Sequence, residues 1–202
     1  MDADLLTMSA GKAFEIAHEA GIRLFQYRNK NGSRNEVYTI SSQLAVMTKR
    51  AGCVFIVNDH ADIAKAVDAD GVHLGQDDLP FAYGRKILGG DKLIGISTHS
   101  VEQAVEAEAA GADYIGFGPV FPTTTKDAGP HQGSDMLRLV RNAVKLPVLA
   151  IGGIRPDNLV DAMRAGADGV AVISSILSAA DPGAAARDMI DRISTVGSTE
   201  NS

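Results

Sequence analysis

The stretch AAGADYIGFG, residues 109–118, decides how this sequence folds. A helical run ends in small residues, an aspartate turns the chain, and a short apolar strand follows. The same phrase recurs as AVDADGVHLG (66–75) and RAGADGVAVI (164–173). Repeated units of helix, turn and strand are what barrels of alternating strands and helices are built from.

Outward from these echoes, seven short apolar runs punctuate the chain. They are RLFQY (23–27), CVFIVN (53–58), GVHLG (71–75), KLIGIS (92–97), YIGFG (114–118), VLAIG (148–152) and GVAVIS (169–174). Nearly continuous apolar character marks strands covered on both faces, as in parallel sheets. Helical patterns lie near 9–20, 35–51, 60–69, 79–88, 100–110, 133–145 and 156–165, and a last one near 183–195. Ser100 followed by Gln103 reads as a capping box, Pro156 as a first-turn residue, and Gly21, Gly111 and Gly166 as helix ends. This alternation predicts an α/β fold with right-handed crossovers. An open doubly wound sheet alternates in the same way. It would not so readily place functional-looking residues after every strand, so the expectation is a TIM (β/α)₈ barrel.

That barrel is one strand short. The chain enters its first helix by about residue 9, and DLLTM (4–8) is too short and poorly patterned to serve as a strand. The first strand is therefore expected to be missing. Edges near 23–27 and 169–174 would then be unpaired and invite association into a homo-oligomer. The length, 202 residues, suits one domain spanning 1–202, with a polar tail over 196–202 that frays.

Composition excludes several classes. Apolar residues are 45% and charged residues 22%, so the chain is neither disordered nor fibrous. The net charge of −6 and the absence of Trp argue against a nucleic-acid partner. No run is long and apolar enough for a membrane partner or span. The start, MDADLLTMSAGK, lacks an apolar signal region, and the single cysteine, Cys53, cannot form an internal disulfide. Both point to a reducing, cytoplasmic setting.

In a barrel, the residues just after each strand converge on one face. Here they include Gln26, Arg28 and Lys30; Asn58 and Asp59; Gln76, Asp77 and Asp78; Ser97, Thr98 and His99; PVFPTTTK ending at Lys126; Gly152-Gly153; and Ser174-Ser175. Arg28, Lys30 and Lys126 would form a cationic cluster in an acidic protein, suited to phosphate. Asp59 and Asp78 are hard oxygen ligands of the type that holds Mg²⁺, or else helix caps. Gly152-Gly153 and Ser174-Ser175 stand where barrels commonly bind phosphate on backbone amides, or else form a tight turn. His73 lies within a strand and reads as a packed or tautomer-fixed core histidine rather than a base. No nucleophilic triad, G-x-G-x-x-G or P-loop is present. Two anion sites, one with a divalent cation, suit the joining of a diphosphate-activated fragment to a phosphorylated acceptor.

QYRNK (26–30), FIVNDHADIAKAVDADGVHLGQDD (55–78), GISTHS (95–100), GADYIGFGPVFPTTTK (111–126), PVLAIGGI (147–154) and GADGVAVISSI (166–176) together resemble the thiamine-phosphate synthase (thiamine-phosphate pyrophosphorylase) family. The resemblance implies a TIM barrel in thiamine biosynthesis. It would be a Mg²⁺-dependent transferase whose partners are two small-molecule substrates. These are 4-amino-2-methyl-5-(diphosphooxymethyl)pyrimidine and hydroxyethylthiazole phosphate, and the products are thiamine phosphate and pyrophosphate. It further implies that Gln26, Arg28, Lys30, Asn58, Ser97 and Lys126 hold the pyrimidine diphosphate, with Arg28, Lys30, Ser97 and Lys126 catalytic. Asp59 and Asp78 would ligate Mg²⁺. Thr123, Thr124 and Thr125 would line the thiazole side, and Gly153, Ile173 and Ser174 would bind its phosphate. Family members open with a strand resembling Y-x-x-T-D, which is absent here. The alternatives are a thiazole tautomerase, which needs neither the aspartates nor Lys126, and an inactive barrel that binds phosphate ligands.

Overall fold

The computed structural model describes residues 1–123 and 130–199, with side chains of the last helix described as far as 196. Its sheet has seven strands: β1 (Leu24–Tyr27), β2 (Val54–Asn58), β3 (Gly71–Leu74), β4 (Leu93–Thr98), β5 (Tyr114–Phe117), β6 (Val148–Ile151) and β7 (Gly169–Ala171). Every pairing is parallel, and the spatial order is the chain order from β1 to β7. A doubly wound sheet reverses its strand order at a switch point, whereas a barrel wall advances in one direction. The uniform advance here is that of a barrel wall.

The helices are α1 (Ala10–Glu19), α2 (Arg34–Arg50), α3 (Ala61–Ala66), α4 (Phe81–Leu88), α5 (Val101–Ala110), α6 (Gly133–Ala143), α7 (Leu159–Arg164), α8 (Ser174–Leu177) and α9 (Pro182–Thr199). Helix α9 packs against α1, α7 and α8, so it bridges the two ends of the sheet on the outside. It runs to Thr199, beyond the 195 expected, and residues 200–202 lie outside the described residues. Helix α8 was not foreseen. The run GVAVIS reads as one strand, but the strand stops at Ala171 and Ser174 opens a short helix that buries Ile176 and Leu177. Helix α7 begins at Leu159, so Pro156 stands in the turn before it rather than in its first turn.

In place of an eighth strand, one isolated bridge flanks β1. Arg28 N–H donates to Met1 O (2.9 Å) and Ala3 N–H donates to Arg28 O (2.8 Å), so Asp2 bridges Arg28 in parallel. The chain then leaves as a 3₁₀ turn over Ala3–Leu5. The upper end of β1 is therefore covered, while Leu24 at its lower end remains 45% exposed. Among the described residues, β7 has no strand partner beyond β6.

The echoed aspartates have one job. Asp70 accepts the Phe55 N–H (2.7 Å), Asp113 the Ile94 N–H (2.8 Å) and Asp168 the Val148 N–H (2.8 Å). Each ties the start of its own strand to the start of the strand before it. Arg85 adds to this by binding Asp113 (2.6 Å) and the Lys92 carbonyl (2.5 Å). Arg141 does the same with Asp168 (3.1 Å) and the Leu146 carbonyl (2.7 Å). A buried or half-buried strand start is thus satisfied without an extra layer of backbone. Glycines close helices where expected, with φ of +113° at Gly21, +92° at Gly111 and +98° at Gly166. The Ser100 cap forms too: its hydroxyl accepts from Gln103 N–H (3.3 Å), and Gln103 in turn accepts from His99 N–H (2.7 Å).

Apolar side chains on the outer strand faces pack beneath the helices in two clusters. Phe25, Phe55, Val57, Val72, Leu74 and Ile94 anchor one. Ile115, Phe117, Leu137, Val140, Val148 and Leu159 anchor the other. Ile22, Phe81 and Ile96 touch both. The residues that alternate with these in β1 to β5 include Gln26, Asn58, His73, Ser97 and Tyr114. Period-two alternation puts them on the opposite face, inside the wall.

Candidate active site

Four strand ends bring polar groups together. Gln26 Nε2, from β1, donates to Asn58 Oδ1 at the end of β2 (2.6 Å). Among the described residues, that leaves the Gln26 side-chain oxygen Oε1 and the Asn58 amide hydrogens for a ligand. Next along the chain, Asp59 adopts φ +64°, which asparagine and aspartate tolerate better than most residues. Its own N–H donates to the His73 carbonyl (2.8 Å), pinning the turn to β3.

The carboxyls of Asp59 and Asp78 lie within hydrogen-bonding reach of each other. Burial, then the neighbouring Asp78, push the Asp59 pKa up to about 6, and the Lys30 ammonium 3.4 Å away only partly offsets this. Asp78 also accepts the Gly75 N–H (2.7 Å). Neither aspartate caps a helix. Helix α3 is capped at His60 and α4 at Pro80, both without a side-chain bond. Two half-buried carboxylates this close repel unless they share a proton or a cation. Their oxygens are hard donors, and a pair of carboxylates is what Mg²⁺ needs when water and substrate phosphate fill its other positions. The residues present therefore fit a divalent cation. Among the described residues, no third acidic, histidine or cysteine ligand joins the pair.

The cationic cluster is less free than its sequence suggests. Arg28 spends one arm of its guanidinium on buried Asp2, and Lys30 sits on Asp59. Lys126, Thr124 and Thr125 lie outside the described residues. Thr123 closes the described part of the β5 loop, half-buried.

Below the rim, His73 is buried between two hydroxyls. Its Nδ1 meets Tyr114 OH (3.1 Å) and its Nε2 meets Ser97 Oγ (2.9 Å). Burial pulls its pKa down to about 4, so the ring is neutral at physiological pH. Gln76 Nε2 donates to the Ser97 carbonyl (2.6 Å), fixing the backbone of the same residue. Tyr114 was not foreseen. Its position inside an apolar run reads as core, and only the successive pairings of β3 with β4 and β4 with β5, across Gly95, bring it beside His73.

The other side of the mouth is built on backbone. Gly152 and Gly153 have φ of +86° and +67°. A Cβ on Gly153 would stand 2.5 Å from the carbonyls of Phe121 and Pro122, so only glycine fits. Phe121 N–H donates to the Gly152 carbonyl (3.0 Å), holding the β5 loop against this turn. Asn158, also not foreseen, accepts from Arg155 N–H (2.7 Å) and donates to the Gly153 carbonyl (2.9 Å). The Ser175 hydroxyl reaches the Ile154 carbonyl. This joins the start of α8 to the glycine turn and brings Gly153, Ile173 and Ser174 into one neighbourhood. Ser174 is exposed, and its hydroxyl has no protein partner among the described residues.

A parallel barrel wall with an acid pair, cations and a glycine cradle at its C-terminal mouth defines a phosphate-handling barrel enzyme. The comparisons specify which one. A model of the thiamine monophosphate synthase family matches residues 2–176. The thiamine-phosphate synthase of Chloroflexus aurantiacus is 47% identical over 187 residues, covering 90% of this chain and 86% of the relative. That of Natronomonas pharaonis is 44% identical over 191 residues, covering 93% and 89%. The structure of thiamine phosphate pyrophosphorylase from Pyrococcus furiosus superposes with a TM-score of 0.90 at 39% identity, covering 96% and 94%. The chain belongs to the thiamine monophosphate synthase family. Orotidine 5'-phosphate decarboxylase from Pyrococcus horikoshii, at 17% identity and a TM-score of 0.67, shares the fold alone.

Proposed function

We propose that this protein is the thiamine-phosphate synthase that its sequence resembles. It joins the pyrimidine diphosphate to hydroxyethylthiazole phosphate, in thiamine biosynthesis. The observation that carries the reading is the Asp59–Asp78 pair with Lys30 beside it, opposite the Gly152-Gly153 cradle.

In the reaction the bond between the pyrimidine methylene and the diphosphate oxygen breaks, and its electron pair leaves with pyrophosphate. The thiazole nitrogen then gives its lone pair to the methylene, forming the C–N bond. No protein nucleophile is required. Asp59 and Asp78 would hold Mg²⁺, which when bound supplies positive charge against the leaving pyrophosphate. Arg28, Lys30 and Ser97, with Lys126, bind the same diphosphate oxygens. Gln26 and Asn58 use their remaining amide groups on the pyrimidine. Gly153 and Ile173 offer backbone, and Ser174 its hydroxyl, to the thiazole phosphate, with Thr123, Thr124 and Thr125 along the ring. Holding both fragments in line supplies much of the acceleration.

The test supplies both substrates with Mg²⁺ and measures thiamine phosphate and pyrophosphate. Stoichiometric formation of both is expected. A folded protein that makes neither would overturn the reading. Lys126→Ala is expected to lower turnover with the circular dichroism spectrum unchanged.

The tautomerase alternative makes no use of the aspartate pair, which is the best-defined feature of the site. An inactive binder would not release pyrophosphate.

A further inference from the structure

Helix-facing positions of the wall are filled by apolar side chains, but one layer of its interior is not. His73, Gly95, Ser97, Tyr114 and Gly116 share the inner face of β3, β4 and β5. The two glycines make the room. A Cβ on Gly95 would stand 2.1 Å from Tyr114 Cζ, and one on Gly116 would stand 3.1 Å from His73 Cε1. Glycine weakens a strand interior. Filling this layer with apolar residues would stabilise the wall more simply than burying a histidine and a phenol.

The arrangement has a direction. Tyr114 is 8% exposed, and its hydroxyl has one protein partner among the described residues, His73 Nδ1. If Nδ1 carried the ring proton, the phenol hydrogen would be left buried with nothing to accept it, which is costly. The satisfied state has the phenol donating to a bare Nδ1. The ring proton then sits on Nε2 and donates to Ser97 Oγ, 2.9 Å away. Ser97 has accepted a hydrogen bond, so its own hydroxyl hydrogen is free to point away from the ring. Its backbone is fixed by the β4 ladder and by Gln76, so that hydrogen is the only part left to orient. In the opposite tautomer, Nε2 would take the serine hydrogen and leave only lone pairs for a ligand. Those would repel a phosphate oxygen.

We propose that Tyr114 and His73 are positioning residues, forming a relay of fixed polarity that presents the Ser97 hydroxyl as a hydrogen-bond donor to an anionic oxygen. The inference rests on the reading above in placing Ser97 against the diphosphate. It extends that reading to two buried residues joined to Ser97 through hydrogen bonds.

Two measurements test it. In the first, long-range proton–nitrogen correlation spectra of the ¹⁵N-labelled protein report the His73 ring, assigned by its loss in His73→Gln. The proton is expected on Nε2, with Nδ1 bare. A proton on Nδ1 overturns the proposal, whether or not the protein makes thiamine phosphate. In the second, pyrophosphate binding in the presence of Mg²⁺ and kcat are measured for Tyr114→Phe, Ser97→Ala and the double variant, each checked for an unchanged melting temperature. Tyr114→Phe is expected to weaken both by about 10-fold, with KM for the thiazole phosphate unchanged. On top of Ser97→Ala it should cost nothing more. Independent losses that multiply in the double variant would overturn the relay. A wild-type protein that binds pyrophosphate but forms no thiamine phosphate would overturn the synthase reading and leave the relay standing.

Discussion

The two sides of this barrel are held in different ways. Strands β2, β3 and β5 are buried along almost their whole length. Strands β1, β6 and β7 are not: Leu24 is 45% exposed, Ile151 37%, and no residue of β7 is fully buried. The buried side carries the acid pair and the His73 network, where side chains are fixed by one another. The exposed side carries the glycine turn, where the groups proposed to meet a ligand are backbone and a tight turn does the fixing. A site can therefore span a buried and a more exposed region if each part relies on the kind of order available to it.

The largest expected effect lies on the buried side. Asp59→Ala should lower turnover by about 100-fold or more, since it would remove one of the two carboxylates proposed to hold the cation against the developing charge. A magnesium titration of the rate checks it. If the response to magnesium is the same as in the wild type, the aspartate has no part in holding the cation. Removing the metal with a chelator should abolish turnover in the wild type and leave the fold intact, because the strands are tied by Asp70, Asp113 and Asp168 rather than by metal.

The packing contrast is testable by itself. Phe55→Ala, at a position 1% exposed, should destabilise the protein by about 3–5 kcal/mol. Leu24→Ala, one strand away, should cost less than about 1 kcal/mol, because little apolar area is lost there. Chemical denaturation of the two variants decides it. Equal losses would mean that the exposed side is as well packed as the buried one. Between these lies Gly153→Ala. Its Cβ would meet two carbonyls at 2.5 Å and sit at positive φ, so a loss of about 1–3 kcal/mol is expected, with a raised KM for the thiazole phosphate.

Much of this was legible in the sequence, for physical reasons. Strands buried on both faces write themselves as runs of Val, Ile and Phe, so all seven were found within a residue or two, except at the end of β7. The loop residues after each strand could be gathered because barrel topology puts them on one face. Other features depend on partners that are distant in sequence. The isolated bridge of Asp2 to Arg28 joins residues 26 positions apart. Tyr114 reads as core until β5 is laid beside β4. The aspartates at 59 and 78 could have been caps, and only the helix starts at His60 and Pro80 removed that option. Helix α8 was hidden because Ile176 and Leu177 continue the apolar character of the strand before it.

The smallest expected effect sharpens the contrast most. Asn158 is not among the groups proposed to meet phosphate or metal, yet it spans Arg155 N–H and the Gly153 carbonyl. On the buried side, loss of one such contact would be shared among several neighbours. On the exposed side, among the described residues, the glycine turn is also tied by the Phe121 N–H bond to Gly152 and the Ser175 bond to Ile154. Asn158→Ala should therefore cost only about 1 kcal/mol of stability, typical of a lost side-chain hydrogen bond. Its main consequence should be a raised KM for the thiazole phosphate, by roughly three- to tenfold, since the backbone amides would no longer be held in place before the ligand arrives. KM for the pyrimidine diphosphate should stay unchanged, because the residues proposed to hold that substrate lie across the mouth. Steady-state kinetics with each substrate varied in turn reads the difference. A rise in both would mean that the two sides are mechanically one.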